Sequence, residues 1–592
     1  MYYSGGNLEA FARPLAVPGA EKKHFYIIGS GLAGLSAACF LIRDAGADGS
    51  GIHILEKNPI AGGALDGYEF EENGFVSRGN RILDPHDECL WDLLRSVPSP
   101  GEKDASVLDE IWWLSRRDPN YSICPVTEKC GQDARLEGHF DLSDAESAAV
   151  IRFLVTPDQE LGGRKISEAL PHDLFFTNFW LYIQTLYGFS PDHGALELKR
   201  KLKRILHLLG DMPSFRGALF GRYNEYESII RPLINYLEAH GVQFEYEISV
   251  TNVAFDTALR KKRATRIDYV RFGEEDCIDL TPDDMVFITP GGMTENSTMG
   301  SQYKPAPFNT ELRAGGGWEL WRRIAEQDKS FGNPDVFCSA PEQTARMSAT
   351  LTTSDSRVIS YIKRICKRDT FSGKVVSGGP VMCRDSGWGM SWSVGRQPYF
   401  ENQKPGTVVI WITARYCDRP GNYEGRSMRD CQGREICAEW LYQIGVPVDE
   451  IEELADKGVS SVPVMMPYAF SPLMPREDGD RPAVVPEGAV NFAFIGQFAE
   501  TAGDAAMTCE YAVRTAMEAV YGLLGTDRGI PEVWNGPYDL RTVLKAAVEL
   551  RDGRALTGLD SGFRDRRLTA RLLKKLQGTD LETLLSDSGA VL

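Results

Sequence analysis

Apolar residues along the chain fall into short runs of strand length and longer stretches with helical spacing. Tyr26-Ile27-Ile28 is an apolar run short enough for a buried parallel strand, Leu32–Ile42 repeats apolar residues as a helix does, and Ile52–Leu55 is a second strand-like run. Glu88–Ser96 predicts a helix, because Leu90, Trp91, Leu93 and Leu94 give it a wide apolar face. Residues 105–240 read as largely helical and rich in aromatics: Phe175-Phe176, Phe179 to Tyr182, and Leu186-Tyr187. Such clusters either fill a core or line an apolar cavity. Val242–Tyr246 and Ile248–Val253 alternate as strands, Asp284–Gly292 is a buried strand running into glycines, and Thr407–Ile412 is a further strand. Val490–Phe498 is a late apolar strand ending in glycine, followed by a helix at Glu510–Leu524. Met1–Lys23 reads as an extended arm broken by glycines and prolines, and the tail from Pro537 as helical.

Between the first strand and its helix, Gly29, Gly31 and Gly34 stand at G-x-G-x-x-G spacing. The first permits the tight turn, the second lets a pyrophosphate approach the backbone, and the third lets helix and sheet pack closely. The second strand ends in Glu56, twenty-two residues past Gly34, where an acid can bind both hydroxyls of a ribose. A further glycine pair, Gly62-Gly63, follows at once, as in flavoproteins of the glutathione-reductase type, and points to FAD rather than NAD. Val250 and Gly496 join the expected cofactor-binding residues from the returning strands, with Asp504 beside the last helix, whose N-terminus would face flavin ring or phosphates. Arg78 and Gly79, in Ser77–Arg81, either meet the anionic cofactor or belong to a surface turn.

The implied fold class is α/β. A Rossmann-type FAD-binding domain (24–104, 241–309 and 486–525) is interrupted by substrate-domain insertions (105–240 and 310–485) and followed by a helical segment, 526–592. At 592 residues the chain exceeds one compact core, and a net charge of −18 argues against a nucleic-acid partner. Twelve cysteines without C-x-x-C pairs, and an N-terminus lacking a basic segment followed by an apolar one, predict a cytoplasmic protein. Eight histidines include no pair at metal-site spacing, so no metal is expected. No apolar run is long enough to span a bilayer. In the tail, Arg564, Arg566, Arg567, Arg571, Lys574 and Lys575 alternate with Phe563, Leu568, Leu572 and Leu573. That patch reads either as a peripheral membrane contact or as a charged helix packed on its domain.

From Tyr26 to about Arg567 the chain resembles the fatty acid (oleate) hydratase family, also called myosin-cross-reactive antigens. The likeness rests on IIGSGLAGL, ECLWDLLRSVPS, RYNEYESIIRP, TPGGMTENSTMG, MPYAFSPLMPREDGDRP and AFIGQFAE, blocks that occur in one order. It implies bound FAD that takes no hydride, addition of water across the cis double bond of an unsaturated fatty acid, as oleate to 10-hydroxystearate, and a peripheral contact with membrane. A homodimer is also expected. The family commonly uses a glutamate in R-G-G-R-E-M-E and a tyrosine after A-x-E-x-R-R. Here those positions are Ile82 and Lys201. Ile82 cannot move a proton, and Lys201 needs strong desolvation to act as a neutral base. Asp84, in the same loop, is the first replacement candidate, followed by His86 and Glu88; helix capping is the other reading of Asp84. At the carboxylate-binding end, the family's glutamine becomes Glu225, and its T-L-N-R-Q-P-H becomes Ser393–Tyr399, leaving Ser393, Arg396 and Tyr399 to hold a head group. Two further readings stand beside hydration: a flavin oxidoreductase on a lipid-like substrate, and a lipid-binding flavoprotein with little catalysis.

Overall fold

The computed structural model describes residues 8–70, 74–79, 81–136, 138–257, 261–534, 536–556 and 574–590. Asn80 and most of the basic tail patch, Phe563 to Leu573, lie outside the described residues.

Phe25–Ile28 occupies the centre of a five-stranded parallel sheet between Ile52–Leu55 and Met285–Ile288, with Gln243–Glu245 and Phe492–Phe494 at the edges. Apart from the partly exposed edge strand Gln243–Glu245, these strands are almost wholly apolar because both faces are covered. Leu32–Phe40 is buried along its whole length and packs against Cys509–Leu524 and Arg231–Ala239. Parallel neighbours cannot be joined by a tight hairpin, so each crossover must leave the sheet. Two of them are very long: 56–242 connects the second strand to its edge neighbour, and 289–491 connects Met285–Ile288 to Phe492–Phe494. The arrangement is a Rossmann-type α/β sheet with insertions, the fold class expected from the sequence.

The insertions share an eight-stranded sheet. Its middle strands, Val459–Met466, Arg346–Thr353 and Val408–Ala414, run antiparallel, with Met347 opposite both Met465 and Ala414. Val126–Glu128, from the first insertion, pairs with Val381–Cys383 of the second. Thr298–Met299, grouped by sequence with the nucleotide-binding part, instead pairs with Val464 and Met465 at this sheet's edge. The aromatic helix Asn178–Tyr187 serves both roles left open above: Phe179, Trp180 and Tyr182 are core, whereas Tyr187 faces a cavity. The N-terminal arm is not simply extended. Leu8–Phe11 forms one helical turn, and the Glu9 carboxylate accepts the Gly529 N–H at 3.0 Å, which ties the arm to the region after the last core helix. Among the described residues no helix is long and apolar enough to cross a membrane.

Candidate active site

A cavity of about 350 Å³ lies where the strands Phe25–Ile28, Ile52–Leu55 and Met285–Ile288 give way to their loops. Its floor is backbone. Gly29 holds φ at 99°, and a Cβ on Gly34 would sit 2.1 Å from the Gly29 carbonyl oxygen, so any side chain there would push the helix off the strand. The Gly62 N–H donates to the Ser30 carbonyl at 3.1 Å, and a Cβ on Gly63 would lie 3.1 Å from the Gly31 Cα. The two glycine loops therefore nearly touch, leaving a cradle that a side chain would fill. Gly31 caps the helix Leu32–Phe40 with no side-chain hydrogen bond, so the first helical N–H groups remain available to a phosphate.

Glu56 lines this cavity and is held from both sides. One oxygen accepts Ser30 N–H at 3.0 Å and Ser30 Oγ–H at 2.6 Å, the other Asn58 N–H at 2.8 Å and Asn58 Nδ2–H at 2.7 Å. A carboxylate offers about four acceptor positions. A ribose diol would thus share or replace the Ser30 and Asn58 side-chain bonds. Val250 and Gly496 also line the cavity. Arg78 reaches it too, but its guanidinium is paired with buried Asp66, through Nε at 2.6 Å, and donates to the Gly63 carbonyl at 2.9 Å; it braces the second glycine loop instead of offering a free charge. Gly79 stands off the cavity, against the Arg81 guanidinium. Asp504, expected at the flavin, is fully buried elsewhere, 3.3 Å from both Arg204 and Arg514. Backbone-lined walls, a free helix N-terminus and an acid at the second strand's end fit a dinucleotide such as FAD.

A second cavity, of about 200 Å³, shares Arg81, Met507, Thr508 and Cys509 with the first. The two spaces therefore adjoin at the start of the helix Cys509–Leu524, whose first turn is capped by Thr508 Oγ on Tyr511 N–H at 3.0 Å. Its walls are largely apolar, and Ile82 is one of them. Asp84 and Lys201 meet there. One Asp84 oxygen accepts the His86 N–H at 2.8 Å and contacts His207 Nε2 at 3.1 Å; the other makes no hydrogen bond among the described residues. Burial alone would raise the pKa of Asp84, but His207, the His86 N–H and Arg204 outweigh it and hold the carboxyl below the usual range. Lys201 rides 4.5 Å from the centre of the Tyr187 ring and has no ion pair or hydrogen bond among the described residues. Desolvation pulls its ammonium below the ordinary lysine value, against the pull of Asp84.

His86 and Glu88 do not reach this cavity. They contact one another at 3.2 Å, and His86 lies flat on Trp534, with 3.7 Å between ring centres. A chain that turns into the helix Glu88–Leu94 carries their side chains away from the wall that Asp84 occupies. His207, which no local motif marked, stands behind Asp84.

Glu225, Ser393, Arg396 and Tyr399 all line the second cavity. Burial raises the Glu225 carboxyl, whose oxygens take the Arg81 N–H at 2.7 Å and the Tyr399 hydroxyl at 3.4 Å; burial beside that acid pushes Tyr399 well up in turn. Arg396 is not free for a head group. Its guanidinium donates to the Gly373 and Gly221 carbonyls and pairs with Asp118 at 3.0 Å. Sequence reasoning passed over Arg346, which also lines the cavity; its only signal was a charged residue opening an otherwise buried strand.

The model of the MCRA family matches residues 22–521. The chain is 43% identical over 592 residues to an oleate hydratase from Streptococcus pyogenes serotype M49 (strain NZ131), covering 99% of this chain and 100% of that protein. It is 28% identical over 567 residues to a linoleate hydratase from Lactiplantibacillus plantarum, covering 90% and 99% respectively. Among solved structures it is similar to the cyclohexylamine oxidase of Brevibacterium oxydans IH-35A at a TM-score of 0.48 and 12% identity, over 85% of this chain and 99% of that one.

Proposed function

The chain belongs to the MCRA family, and from that premise we propose that it is a flavin-dependent hydratase of unsaturated fatty acids, with FAD in the first cavity and the acyl chain in the second. The observation that carries the reading is the junction of the two cavities at Arg81 and Met507–Cys509, with a half-buried carboxylate and a half-buried amine in the apolar wall. FAD bound between the glycine loops supplies shape and charge at that junction and takes no hydride.

Hydration of an isolated alkene needs a proton delivered to one carbon and the oxygen of water delivered to the other. Asp84, ionised and hydrogen-bonded to His207, accepts the proton that water releases as its oxygen bonds to carbon. The Lys201 ammonium gives its proton to the neighbouring carbon as the double bond opens. Desolvation makes that ammonium a stronger acid than an ordinary lysine. The proton gained by Asp84 passes back to Lys201 and restores the starting state. No group is oxidised or reduced. The apolar walls keep bulk water away from the reacting carbons.

The test is anaerobic turnover of oleate by the flavin-loaded protein in oxygen-18 water. Hydroxy acid carrying one heavy oxygen is the expected product. A dehydrogenated chain with bleached flavin would replace this reading by an oxidoreductase, and unchanged oleate that stays bound would leave a lipid-binding flavoprotein.

A further inference from the structure

Arg346 lines the second cavity with its side chain held rigidly and its charge facing no carboxylate among the described residues. Its Nε–H donates to Thr413 Oγ at 2.8 Å, and its guanidinium carbon lies 4.8 Å from the centre of the Trp411 ring and 5.6 Å from that of Phe470. Strand register explains the grouping. Ser348 faces Thr413 and Thr350 faces Trp411 across the antiparallel pair, so alternation sets Arg346, Thr413 and Trp411 on one face of the sheet. All four side chains line the second cavity. Among the described residues, Arg346 makes no ion pair, and its two terminal nitrogens make no hydrogen bond.

Arg415, another arginine of this wall with no ion pair among the described residues, spends a terminal nitrogen on the Gly188 carbonyl at 3.2 Å and lies over the Tyr416 ring. Arg396 pairs with Asp118, Arg204 with Asp87 and Asp504, and Lys201 feels Asp84 beside it. Burial, joined by repulsion from Arg81, pulls the Arg346 guanidinium down to about 9, the mark of a cation short of a counter-charge. Trp411 Nε1, buried next to it, is a second donor with no partner. A planar fork between two aromatic rings, with its inner nitrogen already anchored, presents two parallel N–H donors in the geometry that a carboxylate accepts.

We propose that Arg346 anchors the head group of the substrate, a long-chain monocarboxylate, through its guanidinium fork, with Trp411 and Phe470 flanking the carboxylate. This rests on the fatty-acid reading of the cavity and moves the head group away from the Glu225–Tyr399 corner, where a second buried acid opposes it. The alkyl chain then has the apolar wall towards Asp84 and Lys201 for its path.

The experiment titrates the full-length, flavin-loaded protein with oleate, methyl oleate and oleyl alcohol, followed by tryptophan fluorescence, for the natural chain, Arg346→Met and Arg346→Lys. Arg346→Met is expected to weaken oleate about tenfold or more, as loss of a charge-assisted bidentate contact does, and to leave ester and alcohol within about twofold. In turnover it raises KM and leaves kcat nearly unchanged. Arg346→Lys keeps the charge without the fork, so it recovers part of the oleate affinity and none is needed for the ester. Equal oleate binding in all three proteins overturns the anchor, as does equal weakening of all three ligands, which marks a packing role. Should Arg346→Met not fold, the Arg346→Lys comparison decides on the same two criteria. A natural chain that binds none of the three ligands removes the fatty-acid reading and the anchor together. Selective loss of oleate without labelled product in oxygen-18 water keeps the anchor and removes only the hydratase chemistry.

Discussion

The two adjoining cavities are built on opposite plans. The dinucleotide cavity is made of backbone: Gly29, Gly31, Gly62 and Gly63 bring main chain to main chain, and one acid, Glu56, is fixed by Ser30 and Asn58. The apolar cavity is made of side chains drawn from loop 81–87, from helices near 184–208, and from three strands of the large sheet. A cradle of backbone has no spare room, as the 2.1 Å approach at Gly34 shows, so its residues are confined to glycine. A wall of side chains can exchange one group for another while the space survives. That is how Ile82 and Lys201 stand where a glutamate and a tyrosine would be expected, with Asp84, backed by His207, in the same wall.

The sharpest way to break this contrast is Asp84→Asn. It keeps shape and both cavities, so flavin absorbance per chain should stay level, while kcat for oleate hydration falls by about 10²–10⁴, the range for losing a general base. Flavin lost in parallel with activity would show that the two sites are not separable. Next in size is Gly34→Ala. Its Cβ meets backbone that cannot turn away, and an overpacked contact of this kind costs about 3 kcal/mol. Thermal unfolding and flavin content should fall together, and a stable yellow protein would refute the close-packing role.

Lys201 makes a pH prediction. In the proposed mechanism its ammonium donates the proton, and burial lowers its pKa, so activity should decline with rising pH before the ordinary lysine value of 10.5 is reached. Lys201→Met should lower kcat and remove that alkaline limb. Stability carries the opposite sign: between the folded value and 10.5 the unfolded chain binds more protons, so the natural protein gains stability as pH climbs through this window, and Lys201→Met should flatten the rise. The smallest effect is expected at Glu88→Gln, which alters a half-exposed contact with His86 outside both cavities. Hydration within about twofold of the natural rate is expected, and a loss of a hundredfold would return Glu88 to the chemistry.

What sequence alone determined lies close together along the chain. A strand, three spaced glycines, a helix and an acid occupy little more than thirty residues, and each acts through backbone geometry that its residue type dictates, so Gly29 to Glu56 could be read as a dinucleotide site. Which side chains face the acyl cavity depended on partners far away. His207 reaches Asp84 across 123 positions, Asp118 removes Arg396 from duty across 278, and Thr413 holds Arg346 across 67. A charge in a buried wall is defined by whatever opposes it there, and only the packed sheet and helices decide which of two arginines stays without an acid.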